Sequence, residues 1–309
     1  MMTLLRIGID GSSRARVAIA GCGGAGCNVV HSLPKSEGIT TIALNSAQER
    51  LSALQADVKI RMSMEDARAI LTADPRVNLS GRVRAVDALR SALDGMHFAT
   101  VVTGLGGDSG WESARAGLRE CGRMQVPALC TAIVPFGVEG TVRRESALEQ
   151  ARLLRAEGDG LLLLRNDRLS AIAKGLTFAR ALDVMSCLAA LVPLEVSRFV
   201  SIEEMRSLRK VLRLSDVLEL ESLEIPADGG GTALVERLLA SPWLQVNPRT
   251  ITSIFFVLRA GDDLERIERE TVHALEAKCP NLECMVSALE AWERRELGIV
   301  ALLGTHSYG

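Results

Sequence analysis

A chain of 309 residues and 33.2 kDa is too long for one compact core of ordinary size and is expected to fold as two packed domains. With 48% hydrophobic, 24% charged and only 3% aromatic residues, the composition is globular, and Leu, Val, Ile and Ala must build the core. A net charge of −2 excludes a global pull toward nucleic acid, and the seven cysteines contain no CxxC pair and so argue against a zinc site or disulfide framework.

Residues 1–15 read as a short polar lead, loosely held, without the apolar stretch of a signal peptide. Val17 to Ala20 forms an apolar strand that runs into Gly21-Cys22-Gly23-Gly24-Ala25-Gly26, and Asn28 to Leu33 continue with helical spacing. Thr41 to Leu44 is a second strand, ending at Asn45-Ser46. Met64 to Leu71 and Ser80 to Leu93 read as helices around a turn at Asp74-Pro75. Ala99 to Thr103 is a third strand, followed at once by a second glycine turn, Gly104 to Gly110, and a helix. Ala128 to Val134 is a strand, Thr141 to Ala156 an amphipathic helix, and Gly160 to Leu164 a strand ending at Arg165-Asn166-Asp167. Phe178 to Val192 reads as a long apolar helix closed by Pro193. Helices are then expected at Ile202 to Leu212, Thr232 to Leu239 and Leu264 to Lys278, with strands at Ile254 to Leu258, Met285 to Leu289 and Gly298 to Leu303. Gly229-Gly230-Gly231 reads as a loop. Alternating strands and helices predict an α/β domain with a mostly parallel sheet, followed by a smaller α+β domain. No stretch is long enough without charge to span a bilayer, so a cytoplasmic location is expected.

A glycine turn between a strand and a helix lets backbone N–H groups converge where the helix dipole is positive, which suits a phosphate. Gly21, Gly23 and Gly26 fit the generic GxGxxG pattern, whose first association is NAD. An NAD site needs an acid about 20 residues on; Leu44-Asn45-Ser46 supplies none. Close helix–strand packing also accounts for glycines at such turns. Two of them at parallel strand ends favour phosphate binding.

The runs GCGGAGCN and TIALNSAQERL resemble the first glycine loop and second strand of FtsZ, of the FtsZ/tubulin superfamily. ADVKI, ALCTAIVPFGVEGTVRR, LLLLRNDRL, ASPWL, FFVLRAGDDL and GIVALLG are similar to further FtsZ segments in order and spacing, from Arg16 to Gly304. TGLGGDSGWE stands where that superfamily carries its glycine-rich signature. The resemblance implies a Rossmann-like parallel-sheet GTPase domain at 16–176, a long central helix at 177–195 and an α+β C-terminal domain at 196–309. It further implies GTP or GDP as ligand, with Mg²⁺ as a candidate companion, and head-to-tail assembly of the chain with itself. Other filament or membrane-anchor proteins are further candidate partners.

Carried over position by position, Gly23, Gly24 and Asn28 would meet the nucleotide at the first turn, and Gly106, Gly107, Ser109 and Gly110 would cradle its phosphates. Glu139 matches a ribose-contacting acid, Arg143 a basic residue beside the pocket, Asn166 a side chain on the guanine edge, and Phe178 an aromatic stacked on the base. Core packing explains Phe178 equally well.

The departures bear on activity. Asp108 replaces a glycine, and like charges at about 4 Å repel by about 1 to 4 kcal/mol. Leu182 replaces the Asn or Asp that reads guanine, and the loop from Ile70 to Pro75 lacks its usual glycines. In the segment that should complete a neighbour's active site, Phe199 replaces an Asn and Ser201 an acid, leaving Glu204 and its neighbour Glu203 as the catalytic candidates. A favourably charged helix start explains both equally well. The expectation is an FtsZ-like filament protein with slow or lost GTP hydrolysis. The alternative is a nucleotide-independent filament or filament partner. Nothing up to Ser307-Tyr308-Gly309 resembles the FtsZ peptide that binds membrane anchors.

Overall fold

The computed structural model describes residues 2–7, 14–73, 83–173, 175–261 and 263–306. The expected turn at Asp74-Pro75, the helix start at Ser80 and the chain end at Ser307-Tyr308-Gly309 lie outside them. The chain divides into two units, Arg14–Arg198 and the part from Phe199 onward together with the N-terminal strand β1 (Thr3–Ile7).

In the Arg14–Arg198 unit the strands are β2 (Val17–Cys22), β3 (Ile39–Asn45), β4 (Val58–Arg61), β5 (Phe98–Gly104), β6 (Ala128–Val134) and β7 (Gly160–Arg165). All neighbours pair in parallel, in the order β7-β6-β5-β2-β3-β4, with Val17 opposite both Ile39 and Phe98. Every residue of β2 and β6 is buried, the continuous apolar pattern of strands covered on both faces. Between the strands run α1 (Gly23–Ser32), α2 (Gln48–Ala53), α3 (Met64–Thr72), α4 (Arg84–Leu93), α5 (Gly110–Arg123), α6 (Thr141–Arg155) and α7 (Asn166–Ile172). α3 starts where Ser63 and Asp66 cap each other's backbone N–H groups. Parallel pairing brings the C-terminal ends of β2, β3, β5, β6 and β7 to one edge, the usual ligand edge of open α/β sheets.

Pro193 does not close the next helix. α8 runs from Phe178 to Phe199 with Pro193 inside it. A mid-helix proline costs about 3 kcal/mol, but Met185, Ala189, Ala190, Val192 and Val196 form a buried stripe whose packing offsets that loss. No helix among the described residues is long and apolar enough to cross a membrane.

The second unit contains α9 (Met205–Arg213), β8 (Val217–Pro226), α10 (Gly230–Leu239), β9 (Ile251–Ala260), α11 (Leu264–Lys278), β10 (Cys284–Ala291) and β11 (Glu296–Thr305). Its sheet runs β1-β10-β9-β11-β8, with β11 antiparallel to both neighbours and β1 and β10 parallel to theirs. α10 and α11 cover it through Leu234, Leu238, Ile267 and Leu275, packed with Phe256, Leu258 and Ile299.

Three expectations change here. Residues 3–7 are not a loose lead: Thr3 to Ile7 pair with Cys284 to Ala288, and Arg6 Nε lies 3.2 Å from the largely buried Glu268 carboxylate. β8 escaped notice because acids interrupt its leucines, Glu219 and Glu221 being buried and Glu224 exposed, so it forms no apolar run. Gly229-Gly230-Gly231 is not a loop but leads into α10, where the Gly231 N–H donates to Glu270 at 2.9 Å. A Cβ on Gly231 would stand 2.5 Å from the Ile267 carbonyl oxygen, so glycine is what lets α10 lie against α11.

Candidate functional site

The two glycine turns touch. Gly23 has φ +69°, and a Cβ there would lie 2.7 Å from the Cα of Gly110. A Cβ on Gly26 would lie 2.1 Å from the Val102 carbonyl oxygen, and one on Gly21 the same distance from that of Gly26. Close packing of α1 on the sheet therefore accounts for Gly21 and Gly26, and the contact with the second turn accounts for Gly23. Beneath the turn, Cys27 donates to the carbonyls of Gly21 and Leu44, and burial pushes the Cys22 and Cys27 thiols up, so both are neutral packing groups.

Packing leaves other groups unexplained. Gly107 has open space around its missing Cβ. In the loop before α5, the Leu105 N–H donates to Ile133 and the Gly106 N–H to Gln150 Oε1 at 2.7 Å. Gln150 returns a hydrogen bond from Nε2 to the Gly107 carbonyl at 3.1 Å. The N–H groups of Gly107, Asp108 and Ser109 enter no hydrogen bond among the described residues, and the Ser109 hydroxyl does not cap α5. The first N–H groups of α5 lack intrahelical partners as well, so several donors gather at a positive dipole end. Asp108 is exposed at the loop tip.

Arg143 forms the next wall. Its Cγ would be 2.5 Å from a Cβ on Gly106, and its guanidinium pairs with Glu139 at 3.0 Å. Glu139 also accepts the Phe136 N–H at 2.8 Å, closing a 3-10 turn at Gly137–Glu139. From that turn the Gly137 N–H reaches Asp167 at 2.8 Å, linking it to the start of α7. There Asn166 is 5% exposed, and its Oδ1 has no hydrogen-bond partner among the described residues. A buried acceptor left unpaired costs about 1–3 kcal/mol, which a donating ligand would recover.

Asn28 is exposed on α1, one turn beyond Gly24. Phe178 is the first residue of α8, and its side chain lies outside the described set. Leu182, one turn on, is 38% exposed. Glu203 and Glu204 belong to the other unit. There the Ser201 N–H donates to Glu204 Oε2 at 2.9 Å and the Glu204 N–H to Ser201 Oγ at 3.3 Å, a reciprocal cap just before α9. Glu203 is exposed.

Two site residues were missed from the sequence. Gln150 is a buried amide on a polar helix, which periodicity alone does not separate from its exposed neighbours. Arg50 lies close over Gly24 from α2, and nothing but its position shortly after a strand end marked it.

Residues 16–174 match the tubulin/FtsZ family, GTPase domain. The chain belongs to this family. Among its relatives, cell division protein FtsZ 1 of Methanocaldococcus jannaschii is 28% identical over 177 residues, which are 56% of this chain and 48% of that protein. The aligned part thus spans about half the length of that relative. FtsZ of Haloferax mediterranei is 25% identical over 282 residues, 84% of this chain and 71% of that protein. In three dimensions the fold is similar to an empty FtsZ dimer from M. jannaschii, with a TM-score of 0.77 at 22% identity, covering 94% of this chain and 88% of the other. It is similar also to CetZ2 from Haloferax volcanii, solved as a GTPγS-bound protofilament, with a TM-score of 0.75 at 18% identity over 95% and 94% of the two chains. The expected mixed α/β fold of the FtsZ type and the family resemblance both stand.

Proposed function

We propose that this tubulin/FtsZ-family chain is a cytoskeletal protein that holds a guanine nucleotide at the paired glycine turns, between successive subunits, and stacks head to tail into filaments. The carrying observation is the set of unpaired N–H donors at Gly107, Asp108 and Ser109 beside the start of α5. Donors so placed suit phosphate oxygens. The unpartnered Asn166 Oδ1 supports a base with N–H donors, as guanine has, at the far end of the same sheet edge. Gly23, Gly24, Asn28 and Gly110 would line the phosphate side, and Glu139 and Arg143 the ribose side. Among the described residues no three His, Cys, Asp or Glu side chains could hold a metal together, so Mg²⁺ would depend on the phosphates for most of its ligands.

Hydrolysis is slow or lost in this reading. Glu204 spends one carboxylate oxygen on the Ser201 N–H, and Phe199 has no group that orients water. A head-to-tail contact that does not close yields an open polymer. Two observations favour a nucleotide-independent filament instead: Gln150 fills the Gly106 donor, and Asp108 adds a negative charge to the loop. Sedimentation and electron microscopy with GTP, with GDP and without nucleotide separate the two. Filaments dependent on GTP, with little phosphate released, are expected; equal assembly in all three conditions would overturn nucleotide dependence.

A further inference from the structure

Arg50 carries a role that the family resemblance did not assign. From α2 its Nη1 would stand only 2.9 Å from a Cβ on Gly24, so the guanidinium lies over the second residue of α1. It is exposed and makes no hydrogen bond or ion pair among the described residues. The first turn of α1 offers it no acidic side chain. A cation at the positive end of a helix is electrostatically misplaced unless an anion lies between them. Its charge is felt at the turn: burial pushes the Cys27 thiol up, while hydrogen bonds from Asn45 and to Leu44, and then Arg50, pull it back. A second guanidinium is held on the same edge, where Arg61 Nε donates to the Ser46 carbonyl at 3.3 Å.

We propose that Arg50 is a phosphate-binding residue of the nucleotide site, clamping the phosphate chain against the first turn of α1. The role rests on the nucleotide reading above and deepens it. The planar guanidinium offers paired donors that match phosphate oxygens, and Arg61 adds positive potential behind it. Arg50 also supplies a cation at a site where Asp108 contributes a negative charge. Phosphate binding therefore leans on a resident arginine and depends correspondingly less on Mg²⁺.

The test titrates fluorescent GDP and GTP analogues into the full chain by anisotropy, with Mg²⁺ and with EDTA, comparing wild type, Arg50→Ala and Arg50→Lys. Loss of a charge-assisted hydrogen bond predicts about ten-fold or greater weakening for Arg50→Ala. The loss should be larger in EDTA, and Arg50→Lys should be intermediate. Arg50 is exposed, so unchanged thermal midpoints are expected; Arg50→Gln, which keeps donors without charge, serves if the alanine variant is unstable. Wild type that binds while Arg50→Ala and Arg50→Gln match it in both buffers overturns the role of Arg50 alone. Wild type that binds neither analogue overturns the nucleotide reading, and this proposal with it.

Discussion

Gly23→Ala tests the contact between the two turns. Gly23 sits at φ +69°, in the left-handed region, where an L side chain costs about 1–2 kcal/mol. The new Cβ would also stand 2.7 Å from the Cα of Gly110, a backbone atom that cannot rotate away. Relieving that clash requires the turns to separate, and overpacking of this kind costs about 1–3 kcal/mol. The sum is about 2–5 kcal/mol, and for a domain of this size each kcal/mol lowers the midpoint by about 2–4 °C. A loss of about 3 kcal/mol therefore lowers the thermal midpoint by roughly 6–12 °C. Gly107→Ala is the internal control, because nothing lies within 4 Å of its Cβ position. Circular dichroism melts of wild type and both variants, without nucleotide, give the comparison. If Gly23→Ala melts together with Gly107→Ala, the turns are not packed as described and the packing account of the first glycine loop fails.

Gly107→Val should melt like wild type yet lose nucleotide binding, since its side chain fills open space over the unpaired donors; undiminished affinity by anisotropy would remove Gly107 from the site. Glu204→Ala should destabilise the second unit by about 1 kcal/mol through loss of the reciprocal cap while leaving phosphate release unchanged; a fall in turnover would make Glu204 catalytic. Arg6→Ala should cost about 1–2 kcal/mol in urea unfolding, less than for a fully buried pair because Arg6 is itself half exposed. The Thr41 hydroxyl and N–H bind the Asp57 carboxylate at 2.6 and 2.9 Å and hold its pKa below the usual value. Its contribution is complete above the unfolded pKa of about 3.9 and fades as pH falls through the lower folded value. Asp57→Asn should therefore show a shallower acid loss of the urea midpoint than wild type.

The parallel sheet was legible because its strands are apolar on both faces and each ends in a glycine or polar turn. β2, β5 and β6 announce themselves that way. β1 and β8 did not, because a short edge strand and leucines interrupted by acids, two of them buried, leave no apolar run to see. α8 passed through Pro193 because its buried stripe outweighs a local rule, and stripe burial is a tertiary quantity. At the site, residue types and order pointed to the two turns, yet the Gly106–Gln150 bond joins residues 44 apart on different elements. The cap between Ser201 and Glu204 has a local signature, Ser-x-x-Glu, which reads as a helix start as readily as a catalytic acid, and only the hydrogen bonds show that the carboxylate is engaged.

The glycine signature is therefore a weaker witness to nucleotide binding than it looks. Gly21, Gly23, Gly26 and Gly110 are each held by contacts within the fold, and a chain that had abandoned nucleotide would still need most of them. What separates a working pocket from an inherited one is the set of groups with no structural employment. Among the described residues the space at the Gly107 Cβ position is empty, the Ser109 hydroxyl caps nothing, Asn166 buries an acceptor without a donor, and Arg50 makes no hydrogen bond or ion pair over a helix start. Each is a cost or a neutral feature in the empty protein, and an anionic nucleotide with a hydrogen-bonding base would turn all four to advantage at once. Loss of binding on changing Gly107 or Arg50, without loss of stability, is the pattern that only a working site produces.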